Sequence, residues 1–491
     1  MTQAEERETM ELDVLFIGAG PANLCAAYRL MRGIEAHNEK AQAEGKPAIE
    51  PPTVLVIDKA SKIGNHNLSG AVVDPVAFKE LFPELPVEEY PFITPVAGDK
   101  TFNLISATGK VQLPAFLLPP AMHNGSNFYI ASISELTRFL AKKCEEVGVE
   151  VYTEFAAVDF IRDGGKIAGV KIGDKGLDKE GNPSENFAAG MDLLAKITVL
   201  GEGTFGYLSQ QLISEFNLDA GANTQNWSLG LKEVIEIPVG RVKKGEVIHT
   251  FGYPLDMSTY GGSFVYAIED NVVAMGIVFG LDYVNPRLNS HELLLQLKKH
   301  PLIASIIEGG KVVEYGAKTL PEGGWWAIPQ LSVDGAVLVG DSAGILNAQR
   351  LKGIHLAMKS GMLAADRMVQ AFANNDFSAK ALDYRADLDA CWAGKELHLA
   401  RNVRQGFHHG LIPGMILTGL HMFTGGAIPG GRATMPPDHA SLKHAAGYGE
   451  WTPQATDVNL NLDILTDVYK SGSIHNEHQA SHCKIVDPEK C

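Results

Sequence analysis

Residues 13–17 (DVLFI) form a short apolar run that stops at Gly18-Ala19-Gly20-Pro21-Ala22-Asn23, and a helix-forming run, LCAAYRLM, follows without a gap. Four apolar residues after Asp13, stopped by glycine, read as a buried strand. Strand, glycine turn and helix in immediate succession are the opening unit of a doubly wound α/β sheet. Gly18 permits the tight turn and Gly20 lets the backbone approach a phosphate closely. Pro21 and Ala22 suit a first helical turn, whose free amides carry the positive end of the helix dipole. A second apolar strand, residues 53–57 (TVLVI), ends in Asp58 with Lys59 beside it. A carboxylate at that place accepts hydrogen bonds from ribose hydroxyls, so the unit predicts a dinucleotide with a free 2′-hydroxyl, FAD or NAD. Two features depart from the usual pattern. Asn23 stands where a third glycine is common, and the polar stretch AHNEKAQAEGKPAIEPP lengthens the path to Asp58.

Far downstream, residues 335–339 (GAVLV) repeat the strand pattern and run into Gly340-Asp341-Ser342-Ala343-Gly344, ahead of a helical run from Gly353. Asp341 at a strand end can bind ribityl hydroxyls, and the small residues around it admit close backbone approach beside a helix N-terminus. NAD has no ribityl chain, so the two strand-end motifs together favour FAD. A third such end, Gly201-Glu202-Gly203, follows the apolar run 196–200. Between them, residues 132–147 have the periodicity of an amphipathic helix, with Ser132 and Glu135 in capping-box spacing and Gly148 as the stop. Residues 151–172 read as strands turning at Asp163-Gly164-Gly165.

Composition narrows the class. With 45% hydrophobic and 20% charged residues in 491, the chain has the make-up of a globular protein of two or three modules. A net charge of -16 without a basic cluster argues against nucleic acid as a partner. The five cysteines show no CxxC spacing, which fits a reducing compartment, and no apolar run reaches the ~20 residues that span a bilayer. The acidic opening MTQAEERETMELD lacks the pattern of a signal or transit peptide, so a bacterial cytoplasmic origin is expected.

Longer strings carry more specific information: GNHNLSGAVVDP (64–75), FKELFP (78–83), GLKEV (230–234), YPLDMSTYGGSFVY (253–266), GLDYVNP (280–286) and LKGIHLAMKSG (351–361). In these the chain resembles the electron transfer flavoprotein-ubiquinone oxidoreductase family throughout its length. The resemblance implies an α/β protein with a glutathione-reductase-like FAD-binding Rossmann fold and an inserted, mostly antiparallel quinone-binding sheet. It implies an oxidoreductase that takes electrons from reduced electron transfer flavoprotein through FAD to membrane quinone. It also implies that Gly261 and Gly262 line the quinone headgroup site, while Gly18, Gly20, Asp58, Gly203 and Asp341 surround FAD. The other residues of the FAD set are Pro21, Ala22, Asn23, Lys59, Gly70, Ala71, Gly340, Ala343, Gly344 and Gly353. From local sequence alone, Gly261 and Gly262 also read as a turn before a strand.

The expected organisation is a tail at 1–12, a discontinuous FAD-binding domain at 13–220 and 330–375, a quinone-binding sheet domain at 221–329, a helical, membrane-facing segment at 376–450 and a tail at 451–491. Residues 111–122 (VQLPAFLLPPAM) and 410–428 are apolar but broken by proline or glycine, which suits shallow insertion at a membrane surface, with Arg401 and Arg404 meeting anionic headgroups. A peripheral or monotopic place on the cytoplasmic face of a bacterial inner membrane follows. Long members of the family continue into a ferredoxin-like module that holds a 4Fe-4S cluster. Cys483 and Cys491 are too few for one, so truncation or a separate ferredoxin-like partner is expected. His475, His478 and His482 read as a polar docking segment rather than a metal site. No motif claims a catalytic side chain, since the cofactor carries the chemistry. Two other readings share the glycine motifs: an FAD-dependent isoprenoid (geranylgeranyl-type) reductase or hydroxylase, and an FAD-carrying electron-transfer subunit.

Overall fold

The apolar runs at 13–17 and 53–57 become neighbouring parallel strands. Thr9–Ile17 pairs with Val54–Asp58 on one side, Val14 opposite Val54 and Ile17 opposite Ile57, and with Asp192–Leu200 on the other. Ala336–Leu338 extends the sheet beyond Asp192–Leu200, and Glu150–Thr153 extends it beyond Val54–Asp58, both in parallel. Val14, Phe16, Val56, Val199 and Val337 are wholly buried. Strands covered on both faces read as unbroken apolar runs, which is why these were visible as such. The hairpin of Ala157–Asp163 and Lys166–Ile172 and the short strand Ser332–Val333 complete eight strands. The computed structural model describes residues 7–67, 70–92, 94–449, 455–474, 476–479, 481 and 485–490.

Helix Pro21–Glu44 packs against helix Ile354–Asn374 so closely that a Cβ at Gly361 would lie 2.0 Å from the Ala22 carbonyl oxygen. The two strand-end motifs therefore open beside each other. Helix Ile133–Glu146 starts at Ser132, whose Oγ accepts the Glu135 amide at 3.3 Å, and the chain leaves it through Gly148 at φ +85°.

A second sheet has seven strands in the order Lys311–Pro321, Trp227–Glu236, Val272–Gly280, Gly261–Glu269, Glu246–Gly252, Gly98–Leu104, Lys110–Leu113. All its pairings are antiparallel except that of Glu246–Gly252 with Gly98–Leu104. Two of these strands come from residues 98–113, which lie outside the range 221–329, so the sheet is assembled from distant parts of the chain. Alternation sorts its faces. Leu231, Val265, Met275 and Ile277 pack with helices Ser290–Lys299 and Pro301–Ile307 in one apolar core. The opposite parity, which includes Gly230, Lys232, His249, Phe264 and Lys318, lines a cavity.

Residues 376–450 hold short helices, among them Trp392–Leu399 and Leu411–Phe423. Val111, Gln112 and Leu113 belong to an edge strand, and the rest of the first apolar segment forms single turns, Ala115–Leu117 and Pro120–Met122. Among the described residues no helix is long and apolar enough to cross a membrane. Near the end, helix Ile464–Lys470 is capped by Asp463 and packs on strand Lys311–Pro321. His478 is exposed; His475, His482, Cys483 and Cys491 lie outside the described residues, as do Leu68 and Ser69.

Candidate functional site

The glycine turn is built as its spacing demands. Gly18 has φ +95°, and a Cβ there would come within 2.7 Å of the Gly201 carbonyl oxygen. Gly20 is the cap residue of helix Pro21–Glu44, leaving that helix's first amides free toward the cavity. Asp58 closes the turn from the neighbouring strand: Oδ2 accepts the Ala19 amide at 2.8 Å and Oδ1 the Ala60 amide at 2.7 Å. Each carboxylate oxygen keeps a lone pair for a ribose hydroxyl. Asn23 is placed differently from its neighbours. Its side chain is buried and Nδ2 donates to the Ile17 and Gly18 carbonyls, 2.8 Å each, so it braces the turn from behind rather than lining the cavity.

The downstream motif meets this turn. The Ser342 hydroxyl donates to the Gly203 carbonyl at 3.0 Å, and the Gly340 amide donates to Ser360 Oγ at 2.8 Å. Asp341 and Gly353 line the cavity, while Gly340, Ala343 and Gly344 lie behind them. Gly340 has φ +61° and its position would bring a Cβ within 2.9 Å of Ala22 Cβ, so small residues here let the two motifs close together. Burial pushes the Asp341 carboxyl up from its ordinary range, and the Lys318 ammonium opposes that. Among the described residues no donor satisfies the Asp341 carboxylate, which suits an acid awaiting hydroxyl groups.

Gly18, Gly20, Pro21, Ala22, Asp58 and Lys59 line one part of a continuous cavity of ≈ 1800 Å³; Gly70, Ala71, Gly203, Asp341 and Gly353 line its middle, and Gly261 and Gly262 another wall. Pockets for one drug-sized molecule run to roughly 1000 Å³. This one has room for an extended dinucleotide and a second ligand. The residues fit FAD: a glycine cradle that a Cβ would fill, a carboxylate at a strand end for the ribose, and an unsatisfied carboxylate further on for the ribityl chain. The Lys232 ammonium donates to the Gly70 carbonyl at 2.6 Å, tying the middle of the cavity to the second sheet.

Gly261 and Gly262 are the first residues of a strand rather than a turn before it, paired with Phe279 and Val278. Both are needed sterically. A Cβ on Gly261 would lie 2.3 Å from the Val278 carbonyl oxygen, and one on Gly262 2.4 Å from the Thr250 carbonyl oxygen. Beneath them Tyr260 packs on Phe407 and under the Arg404 guanidinium, 4.3 Å from its ring. Arg404 does not reach headgroups. It is 2% exposed, with Nη2 2.7 Å from Asp282 Oδ1 and Nε 3.0 Å from Glu322 Oε2, and two carboxylates remote in sequence hold it in the interior. Arg401 is half-buried and donates to the His398 and Gly426 carbonyls.

Several polar residues of the cavity wall carried no sequence signal. Lys232, Lys318 and His249 stand on three strands far apart in sequence, and only cross-strand register reveals that they share a face. Burial lowers the Lys232 ammonium to about 8 and the Lys352 ammonium to about 8.

The three described cysteines do not come together to hold an iron-sulfur cluster. Cys25 and Cys144 are buried in the Rossmann core, and Cys391 lies apart with its thiol on the Leu388 carbonyl. Among the described residues no group of three or more His, Cys, Asp or Glu is placed to hold a metal.

A family model described as ETF-QO, ubiquinone-binding, matches residues 227–320, the heart of the second sheet. The chain is 39% identical over 490 residues to the mitochondrial electron transfer flavoprotein-ubiquinone oxidoreductase of Arabidopsis thaliana, covering 98% of this chain and 74% of the relative. The corresponding protein of Pseudomonas aeruginosa is 39% identical over 487 residues, covering 98% and 86%, and that of Homo sapiens is 37% identical over 493 residues, covering 98% and 78%. Among solved structures, a geranylgeranyl bacteriochlorophyll reductase-like protein from Thermoplasma acidophilum superposes with a TM-score of 0.62 at 18% identity, covering 84% of this chain and 92% of that one. A flavoprotein/dehydrogenase from Cytophaga hutchinsonii gives 0.52 at 17% identity, covering 81% and 86%. At such identities these two speak to the fold alone.

Proposed function

The chain belongs to the electron transfer flavoprotein-ubiquinone oxidoreductase family, and from that premise we propose that it passes electrons from reduced electron transfer flavoprotein through FAD to a membrane quinone. The observation that carries this reading is one cavity that joins the glycine cradle at Gly18 to the strand start at Gly261, within the segment that matches the ubiquinone-binding family model. FAD, when bound, supplies the redox chemistry. The protein's part is to hold and to place. Amides at the start of helix Pro21–Glu44 meet the pyrophosphate, Asp58 the ribose and Asp341 the ribityl hydroxyls, with the Lys318 ammonium close by. Gly261 and Gly262 receive the quinone ring on a bare stretch of strand, and the Arg404, Glu322 and Asp282 network fixes Tyr260 below them.

The quinone's lipid tail needs an apolar exit. Phe116, Leu117, Met415 and Phe423 line the cavity, yet are 82%, 61%, 42% and 94% exposed. With Ile412 and Ile416 beside them on helix Leu411–Phe423, they make an apolar rim suited to shallow insertion. We place this rim on the membrane surface, at the cytoplasmic face of a bacterial inner membrane. A ferredoxin-like protein remains a candidate partner for electron entry.

The test is turnover of the FAD-loaded chain with reduced electron transfer flavoprotein and a soluble ubiquinone analogue. Quinone-dependent reoxidation of the flavin supports the reading. Isoprenoid saturation driven by another reductant, without quinone turnover, would replace it.

A further inference from the structure

Three polar residues on neighbouring strands meet on the cavity side of the second sheet. His249, on Glu246–Gly252, places Nε2 2.9 Å from the hydroxyl of Tyr266 on Gly261–Glu269, and both residues line the cavity. On its other side His249 Nδ1 is 3.9 Å from Asp99 Oδ1, carried by Gly98–Leu104. The two oxygens of Asp99 are used unequally. Oδ2 accepts two hydrogen bonds from Asn124, from the amide at 2.8 Å and from Nδ2 at 3.2 Å, whereas Oδ1 is buried without a partner. Burial would push the Asp99 carboxyl up, but the His249 imidazole and the Asn124 donors outweigh it and hold the acid below its ordinary range. The Tyr266 hydroxyl, by contrast, is held protonated by burial and by the charge of Asp99. Phe264 stacks on Tyr266 with centroids 4.6 Å apart and fixes the ring.

An ionised carboxylate, an imidazole and an unionised phenol in that order make a proton store with an outlet. We propose that His249 holds a proton against Asp99 and releases it through the Tyr266 hydroxyl to the quinone as it is reduced. This rests on the quinone-reducing function proposed above. Reduction of a quinone to a quinol takes up two electrons and two protons; the electrons arrive through the flavin. One proton leaves Tyr266 as its O–H bond breaks, a bridging water takes it up and gives up one of its own as a quinone O–H forms, and Tyr266 regains a proton from His249 Nε2. The second proton, and the one that reloads His249, come from water. Tyr266 is four residues beyond Gly262, roughly 13 Å along a strand at ~3.3 Å per residue. In this relay a quinone ring seated at Gly262 and one bridging water would span that distance.

Other charged groups face the same space. Lys352 lies over the Phe128 ring near Asp99, Asp74 and Glu396, and Lys232 lies over Phe264. Both ammonium groups sit at about 8, above the range in which an imidazole ordinarily titrates.

The experiment compares wild type with Tyr266→Phe and His249→Gln, FAD-loaded, with a soluble ubiquinone analogue. Each variant should keep its FAD content and be bleached fully by dithionite. For Tyr266→Phe, kcat should fall by about 100-fold, the lower end of general acid-base contributions, with KM within twofold. Proton uptake reported by a pH indicator in weak buffer, when bound quinone analogue is reduced by rapid mixing, should slow by the same factor. Replacing His249 should flatten the pH dependence of the rate relative to wild type. Retained kcat, unchanged uptake kinetics and an unchanged pH profile in both variants would overturn the relay. Wild type without quinone turnover would instead overturn the proposed function, so the two failures are distinct. Should a variant lose FAD, fluorotyrosine at position 266 keeps the ring and changes only hydroxyl acidity; a rate that follows that acidity supports the relay, and one that ignores it does not.

Discussion

Lys298 Nζ lies 2.8 Å from Glu233 Oε1, with both side chains completely out of water. The pair ties helix Ser290–Lys299 to the middle of the second sheet, and the same ammonium donates to the Asn461 carbonyl at 2.6 Å. Asp467, on the helix near the end of the chain, is also buried, its Oδ2 accepting from His291 Nε2 at 2.7 Å. Sheet, helix and the segment 457–470 thus share one buried polar cluster. Burial and the nearby Asp467 push the Glu233 carboxyl up, against the pull of Lys298.

Removing one member of such a pair strands the other. Lys298→Met is expected to destabilise the protein by about 3–5 kcal/mol, whereas replacing both Lys298 and Glu233 by apolar residues recovers much of that loss. Urea unfolding of the FAD-loaded protein measures it. Equal stability of the single variant and wild type would show that the cluster contributes nothing.

Gly262→Ala tests the strand before it tests the quinone. Its Cβ would meet the Thr250 carbonyl at 2.4 Å, so the two strands must part, at a cost of about 1–3 kcal/mol. Thermal unfolding should show a lower midpoint with or without quinone. A variant with wild-type stability but no quinone affinity would assign the glycine to the headgroup alone.

Asp58→Ala removes a ribose acceptor and, at once, the acceptor of the Ala19 amide. A hydrogen bond to a charged group is worth about 1.5–3 kcal/mol, so FAD affinity should weaken by roughly 10- to 100-fold. Titration of the deflavinated protein with FAD gives the number. Asp341→Asn keeps shape and should cost less, because an amide still accepts from a hydroxyl.

What could be read from sequence is what is local. Residues 13–23 carry a strand, a turn and a helix start within one short stretch, and residues 335–344 do the same, so their chemistry shows without knowing what packs against them. Asn23 has the right position but the wrong direction, because its amide finds the Ile17 and Gly18 carbonyls before any ligand. Arg404 looked like a surface cation beside an apolar segment; Asp282 and Glu322, more than 80 residues away, decide that it is interior. His249, Tyr266 and Asp99 come together only through the register of three strands, which no spacing along the chain discloses. Residues 98–113 likewise join the second sheet by a parallel pairing with Glu246–Gly252 that local pattern cannot express.

Glu396 offers a pH test. Burial would raise its carboxyl, but His355 and Arg350 outweigh that and hold it below the ordinary value. The sign follows: a depressed carboxyl contributes stability above about pH 4.3, its ordinary value, and loses it as pH falls through the lower folded value. Glu396→Gln should therefore be less stable than wild type near neutral pH, with the difference shrinking as the solution is acidified below that value. Urea midpoints across the acid range check it; a difference that stays constant with pH would remove the charge from the explanation.

The apolar rim yields the last test. Phe423 is 94% exposed and Phe116 82%, while both line the cavity, so a charge at either place meets the proposed bilayer surface without disturbing a packed core. Burying a charge in a membrane costs about 2.5–3.5 kcal/mol at mid-depth and less nearer the interface. Phe116→Glu with Phe423→Glu should therefore abolish flotation with liposomes of anionic and neutral lipid. Because Gly261 and Gly262 are untouched, turnover of a short-tailed, water-soluble quinone should stay within a few-fold of wild type, while turnover of a long-tailed quinone in vesicles should collapse. Equal flotation of variant and wild type would take the rim off the membrane, and equal loss with both quinones would mean that the rim shapes the cavity rather than its entrance.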